Sequence, residues 1–293
     1  MPLQLYGWPT PLSFKDACVK NNYRAGKRFS IVIPTLNQAD TLEHTLLSII
    51  HQDYINIEII VIDGGSNDGT ERIIDQYKNW IDYYVSGEDS GQSDAINRGF
   101  SVATGDVYAW INSDDYYLPH AFSRISRVFE SNFEIDIIVG SGDVITKECK
   151  FLKHINAMDM SKENLLRWLE GDWIMQQSCF WSGKIWEASG GVDPSLKLLM
   201  DFDLWLRFSK LGKCMLLNES LAAMRYYPEI KTVSLRDLVK EEIVYVLAKN
   251  GMFAEIRQIV KELVTVNKRL LTESTIKENL LSKRIFRRLG IEF

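Results

Sequence analysis

An α/β chain with a mostly parallel sheet flanked by helices, and a helical extension at its C-terminus, is the fold class this sequence predicts. Three observations carry that expectation. Apolar, strand-like runs alternate with helical patterns from Phe29 to Ile111, each run opens into a polar or glycine-rich loop, and from Ser234 onward only helical periodicity remains.

The elements follow in order. Residues 1–28 hold three prolines and little periodicity, which predicts a leader packed loosely on the core. Phe29 to Ile33 reads as a strand stopped by Pro34, and Asp40 as the cap of a helix with apolar positions at Leu42, Leu46, Leu47 and Ile50. Ile57 to Ile62 is the next strand, Thr70 to Trp80 a helix, Tyr83 to Val85 a strand, the stretch ending at Val102 a helix, and Val107 to Ile111 a buried strand. Beyond Asp115 the rhythm breaks. Ile135 to Gly140 and Asp143 to Lys147 suggest a hairpin across Ser141-Gly142, Ser161 to Leu169 a helix, Met175 to Trp181 a strand, and Gly183 to Ala188 and Asp201 to Leu211 two helices. Gly251 is the expected first break in the C-terminal helices. The expected divisions are a leader (1–28), a main domain of two halves (29–116 and 117–230), and the extension (231–293).

Composition excludes several function classes. With 46% hydrophobic and 25% charged residues the chain is globular rather than disordered, and a net charge of −5 argues against nucleic-acid binding. Cys18, Cys149, Cys179 and Cys214 lie far apart without a CxxC pair, so neither a zinc site nor a disulfide framework is indicated. The first ten residues lack the basic and apolar regions of a signal peptide, and no apolar run reaches membrane-span length. A cytoplasmic location is expected. Residues 231–293 nevertheless carry 13 Lys+Arg against 8 Asp+Glu. Within them, Lys283-Arg284-Ile285-Phe286-Arg287-Arg288-Leu289 reads either as a terminal helix docked on the core or as a peripheral contact with the inner face of an anionic membrane.

The chemistry concentrates in loops at one sheet edge: Pro34-Thr35-Leu36-Asn37, Asp63-Gly64-Gly65-Ser66, Ser86 to Asn97, and Asn112-Ser113-Asp114-Asp115. Two adjacent carboxylates leaving a buried strand suit a hard divalent cation bridging a diphosphate; alone, they would equally suit the capping of a helix near Leu118-Pro119. Asp63 alone fits turn stabilisation before Gly64-Gly65 as well as base recognition. No GxGxxG or Walker sequence is present.

Six blocks in order resemble the inverting glycosyltransferases of family 2, whose type A nucleotide-sugar transferase fold is Rossmann-like. They are Ser30 to Asn37, Val61 to Thr70, Gly91 to Gly99 with Ala103 to Asp106, Asn112 to Asp115, Gly190 to Asp193, and Met200 to Arg207, so the resemblance covers about residues 29–217. It implies that Asp115 ligates Mg or Mn at a nucleotide diphosphate, with Asp114 facing the ribose or the metal's water shell. Asp63 would read the base, with Pro34, Thr35, Asn37, Gln92, Asn97 and Ser113 completing the nucleotide site. Asp201 would be the general base that deprotonates the acceptor hydroxyl; a bare helix-start carboxylate is the alternative. Asp203, two residues on, is expected to be structural. Gln177 and Trp205 are candidates for touching donor sugar or acceptor, although Trp173, Trp181, Trp186 and Trp205 would also serve as core.

Three departures matter. Gly64 stands where many relatives have a second aspartate, Asn112 replaces the first aspartate of an Asp-Ser-Asp-Asp form, and Ile96 replaces an arginine near the nucleotide. The block Gln92 to Asn97 resembles a subgroup tied to bacterial surface-polysaccharide and O-antigen assembly, implying a nucleotide-sugar donor, UDP in the first instance, and a saccharide or lipid-linked saccharide acceptor. A sugar nucleotidyltransferase would need a glycine-rich triphosphate loop that Pro34 to Asn37 does not provide, and a non-catalytic carbohydrate- or nucleotide-binding module would not need both Asp115 and Asp201.

Overall fold

A computed structural model describes residues 3–13, 26–167, 171–227, 236–261 and 264–265. The basic cluster from Lys283 to Leu289, Cys18 and the end of the leader lie outside the described residues. Strand β1 (Phe29–Thr35) is followed by α1 (Leu42–Ile50), β2 (Ile57–Asp63), α2 (Thr70–Tyr77), β3 (Tyr83–Ser86), α3 (Gln92–Ser101) and β4 (Val107–Trp110). These strands run parallel in the order β3-β2-β1-β4, with Phe29 opposite Ile57 on one side and Val107 on the other. The chain builds outward from β1 to β3 and then returns to the far side of β1. That reversal opens a crevice between the carboxyl ends of β1 and β4, the usual place for a ligand in such sheets.

Both faces of the strands are covered, and alternation along β1 explains how. Phe29, Ile31 and Ile33 join Leu42, Leu46, Phe122 and Ile125 in one core cluster, whereas Val32 faces the opposite layer, where α3 packs on β1. That second layer is aromatic: Trp110 stacks on Trp205 at 6.1 Å, and Phe100, Trp181, Trp186 and Phe208 close around them. β1 does not stop at Pro34, since Thr35 still pairs with Asp63. β4 has already left the sheet after its last pair with Val32, so the missing proline N–H interrupts no ladder bond on that side. α1 is entered from Thr41 rather than Asp40, without a side-chain cap.

The second half makes the sheet mixed. It contains β5 (Tyr116–Tyr117), α4 (Ala121–Ser131), β6 (Ile137–Ile145), β7 (Phe151–Ile155), α5 (Lys162–Leu166), β8 (Cys179–Ser182), α6 (Gly183–Ser189), α7 (Met200–Leu211), β9 (Cys214–Arg225) and α8 (Arg236–Lys249). β8 joins β4 antiparallel, and β6, β9 and β5 extend the sheet.

The expected hairpin across Ser141-Gly142 is instead one continuous strand, β6. Its glycines serve close approach rather than a turn. A Cβ on Gly140 would lie 2.2 Å from Leu221, and one on Gly142 2.0 Å from the Met175 sulfur. The expected strand at 175–178 is a 3-10 turn, Gln176–Ser178, before β8. The leader residues 3–13 are not loosely packed: Leu5, Trp8 and Leu12 are buried, and Trp8 Nε1 donates to the Tyr117 carbonyl at 3.1 Å.

The chain divides into compact units Met1–Val239 and Lys240–Phe293. Gly251, at φ 75°, ends the helical run through α8 before helix resumes at 253–261. Among the described residues no helix is long and apolar enough to cross a membrane.

Candidate active site

The loops that leave β1, β2 and β3 are tied to one another before any ligand is considered. The Asn37 N–H donates to Ser66 Oγ at 2.7 Å, and the Asn67 N–H donates to Asn37 Oδ1 at 2.9 Å. Asn37 holds the left-handed conformation, φ 54°, that an Asx side chain tolerates best after glycine. Asp63 is 1% exposed, and its carboxylate accepts from the Ser66 hydroxyl at 2.5 Å and the Ser86 hydroxyl at 2.7 Å. Asn37 and Asp63 therefore shape the crevice by fixing its loops. Pro34 is buried in β1 beside them. Thr35 differs: its Oγ1 is buried without a partner among the described residues.

The carboxylate loop after β4 is held from four sides. Thr45 of α1 donates its hydroxyl to the Asp115 carbonyl at 2.6 Å, and Gln176 Nε2 donates to the Trp110 carbonyl at 2.9 Å. Asp115 itself is 2% exposed. Its Oδ1 accepts the Arg225 N–H at 2.8 Å, and its Oδ2 accepts Gln177 Nε2 at 2.6 Å and Asn112 Nδ2 at 3.5 Å. Burial and the neighbouring Asp114 charge push the Asp115 carboxyl up, while these donors and the Arg225 charge oppose the rise. Both oxygens of Asp115, the residue expected to hold the metal, thus accept hydrogen bonds from within the protein. Asp114 is half-buried, and one oxygen accepts the Tyr227 hydroxyl at 2.8 Å while the other takes no hydrogen bond from the described residues.

Gln177 also has a place other than the expected one. It is 5% exposed and buttresses Asp115 rather than reaching toward a sugar. Trp205, 2% exposed within the aromatic layer, offers no free face for stacking. Asn97 is a clamp: it accepts the Val192 N–H at 3.0 Å and donates to the Val192 carbonyl at 2.8 Å, fixing α3 to the Gly191-Val192 loop. Gln92 donates to Asn112 Oδ1 at 2.7 Å and so links the start of α3 to the carboxylate loop, in which Ser113 is buried.

Asp201 opens α7, half-buried, its Oδ1 accepting the Phe202 N–H at 2.7 Å. Ser93, next to Gln92, donates to the sulfur of the preceding Met200 at 3.2 Å, and the Asp201 charge raises the Cys179 thiol, an effect that follows those of burial and Cys214. Asp203 is structural as expected: fully buried, it pairs with Arg207 at 2.8 Å, and Arg207 also caps the Ser189 and Gly191 carbonyls.

Arg225, Tyr227 and His44 complete the site and were not foreseen. Arg225, 1% exposed, lies over the Tyr116 ring at 5.1 Å, and its guanidinium donates to the Asp114 carbonyl and to His44 Nδ1. The signal in the sequence was a lone arginine ending the apolar run Leu221-Ala222-Ala223-Met224. A ring nitrogen that accepts from a guanidinium requires neutral imidazole, and burial followed by the Arg225 charge lowers the His44 pKa to about 4. Because the folded value is depressed below the ordinary 6.5, the protein is expected to lose stability as pH falls from about 6.5 toward about 4. Melting temperatures across that range should fall less steeply for His44→Gln, whose amide oxygen can still accept from Arg225; parallel curves would show that His44 does not set the slope.

The donor set suits a hard cation. Among the described residues no three His, Cys, Asp or Glu side chains cluster as a complete cage. Mg and Mn commonly take only one or two carboxylates and complete their shell with substrate phosphates and water, so Asp114 over the locked Asp115 fits them.

Known proteins similar to this chain are glycosyltransferases. Residues 30–185 match the glycosyl transferase family 2 profile. An uncharacterized glycosyltransferase of Rickettsia typhi is 28% identical over 249 residues, covering 76% of each chain. Among solved structures, S. aureus TarS 1–349 in complex with UDP-GlcNAc superposes with a TM-score of 0.58 at 15% identity, covering 71% of this chain and 61% of that one. A mannosyltransferase from Pyrobaculum calidifontis, in complex with GDP-Man and Mn2+, gives 0.56 at 18% identity, covering 82% and 67%. At these identities the structural likeness shows the fold.

Proposed function

This chain belongs to glycosyl transferase family 2 and is a glycosyltransferase, and we propose that it moves a sugar from a nucleoside diphosphate, UDP in the first instance, to an acceptor hydroxyl with inversion, assisted by Mg or Mn. The observation that carries the reading is the carboxylate loop at the switch point of the sheet, with Asp115 locked and Asp114 open beside it. Asp114 would hold the metal, with Asp115 fixing the loop beneath it. The ion would supply charge stabilisation for the departing diphosphate.

Asp201 would take the acceptor proton. Inversion requires the acceptor oxygen to attack the anomeric carbon opposite the leaving group, so base and diphosphate lie on opposite sides of the sugar. The start of α7, joined to the carboxylate loop through Met200, Ser93, Gln92 and Asn112, is consistent with that separation. Surface-polysaccharide synthesis, with a saccharide or lipid-linked saccharide acceptor, is the proposed setting.

Purified protein incubated with a panel of nucleotide sugars and read by diphosphate release should select one donor, and excess chelator should abolish its turnover. The product's anomeric configuration, read by NMR, should be opposite to that of the donor. Full turnover in chelator would remove the metal from the proposal; retention of configuration would remove inversion.

A further inference from the structure

Position 64, at the end of β2, has no side chain, yet a carboxylate stands where one would be. A Cβ built on Gly64 would lie 3.1 Å from Asp89 Oδ2 and 3.4 Å from its carboxyl carbon. Asp89 comes from the loop after β3, and its Oδ1 is fixed by the Gly91 N–H at 2.8 Å. Its Oδ2 accepts no hydrogen bond from the described residues. Around it, Thr35, Asp63 and Ser86 share one level of the sheet, paired Thr35 to Asp63 and Asp63 to Ser86. At that level Asp63 is buried and fully engaged with Ser66 and Ser86, whereas Asp89 is half-buried and Thr35 Oγ1 lacks a partner.

We propose that Asp89 is the specificity-determining residue for the nucleotide base, supplying from the β3 loop the acceptor that Gly64 lacks. This rests on the donor-site reading given under Proposed function. An ionised carboxylate only accepts hydrogen bonds, so it selects a base whose pairing edge presents a ring N–H. Uracil and guanine carry that N–H; cytosine and adenine present a bare ring nitrogen there and would meet Asp89 lone pair to lone pair.

Asp89→Asn is the informative substitution. Its amide oxygen can keep the bond from Gly91 N–H while its amide nitrogen replaces Oδ2, turning the free acceptor into a donor. Calorimetric titration with UDP, GDP, CDP and ADP should show the wild type favouring UDP and GDP, the larger of the two identifying the natural base. In Asp89→Asn the UDP-to-CDP affinity ratio should fall by roughly 10- to 100-fold, the range for losing one hydrogen bond to a charged group. Asp89→Ala should lower the ratio less, by removing the acceptor without adding a donor. A ratio unchanged in both variants, with UDP still bound, overturns the role of Asp89 and leaves the donor site intact. Binding of none of the four nucleotides by the wild type would sink the donor-site reading and this assignment with it.

Discussion

Replacing Asp201 with asparagine is expected to lower sugar transfer by roughly 10²- to 10⁴-fold, the usual consequence of losing a general base, while donor binding stays near the wild-type level. Asparagine keeps the shape and can still accept the Phe202 N–H through its amide oxygen, so α7 should start as before. What disappears is basicity. The effect should fall on kcat rather than on donor affinity, because the proton moves only as the acceptor attacks. Measurement needs a transfer assay with saturating acceptor and a separate donor titration. A variant that transfers at the wild-type rate would take the base role from Asp201. Asp203 could not then inherit it without breaking its pair with Arg207, and its full burial argues against that.

The second large effect separates the two neighbouring carboxylates. Asp115→Ala should destabilise the fold by roughly 3–5 kcal/mol, since it strips the partner from buried donors on Gln177 and the Arg225 backbone and leaves the Arg225 charge less compensated. A fall in melting temperature on the order of 10 °C corresponds to that loss. Asp114→Asn should leave the melting temperature nearly unchanged, because the amide oxygen can still accept from Tyr227, yet it should remove the enhancement of nucleotide binding by Mg or Mn. Asp115→Asn tests the same division more gently. Its amide nitrogen would face donors on whichever side it turned, so stability should fall by about 1–3 kcal/mol. If Asp114→Asn keeps metal-dependent binding, and a folded Asp115→Asn loses it, the two roles are reversed.

Local pattern made the frame of this protein legible. The parallel half of the sheet follows from apolar runs at Phe29, Ile57 and Val107, because a strand buried on both faces has no polar side to show. The polar loops had to emerge together once those strands were parallel, and the carboxylates of Asp114 and Asp115 were therefore legible as a candidate site at the carboxyl end of the sheet. Asp203 could be set aside from Asp201 because residues two apart on a helix do not share a face.

Tertiary structure alone decided what each site residue touches. Nothing near Asp115 in the chain indicates that Gln177 and Arg225, 62 and 110 residues away, would take its lone pairs. The same contacts occupy both oxygens of Asp115, whereas one oxygen of Asp114 takes no hydrogen bond from the described residues. Gly140 and Gly142 read as a turn because a sequence cannot distinguish a glycine that bends the chain from one that admits Leu221 or Met175 against its backbone. Position 64 shows the difference most sharply. The sequence determined that Gly64 has no carboxylate, but only the fold brings Asp89 from the next strand's loop into that space, because hydrogen bonding and steric fit depend on distances that chain order does not encode.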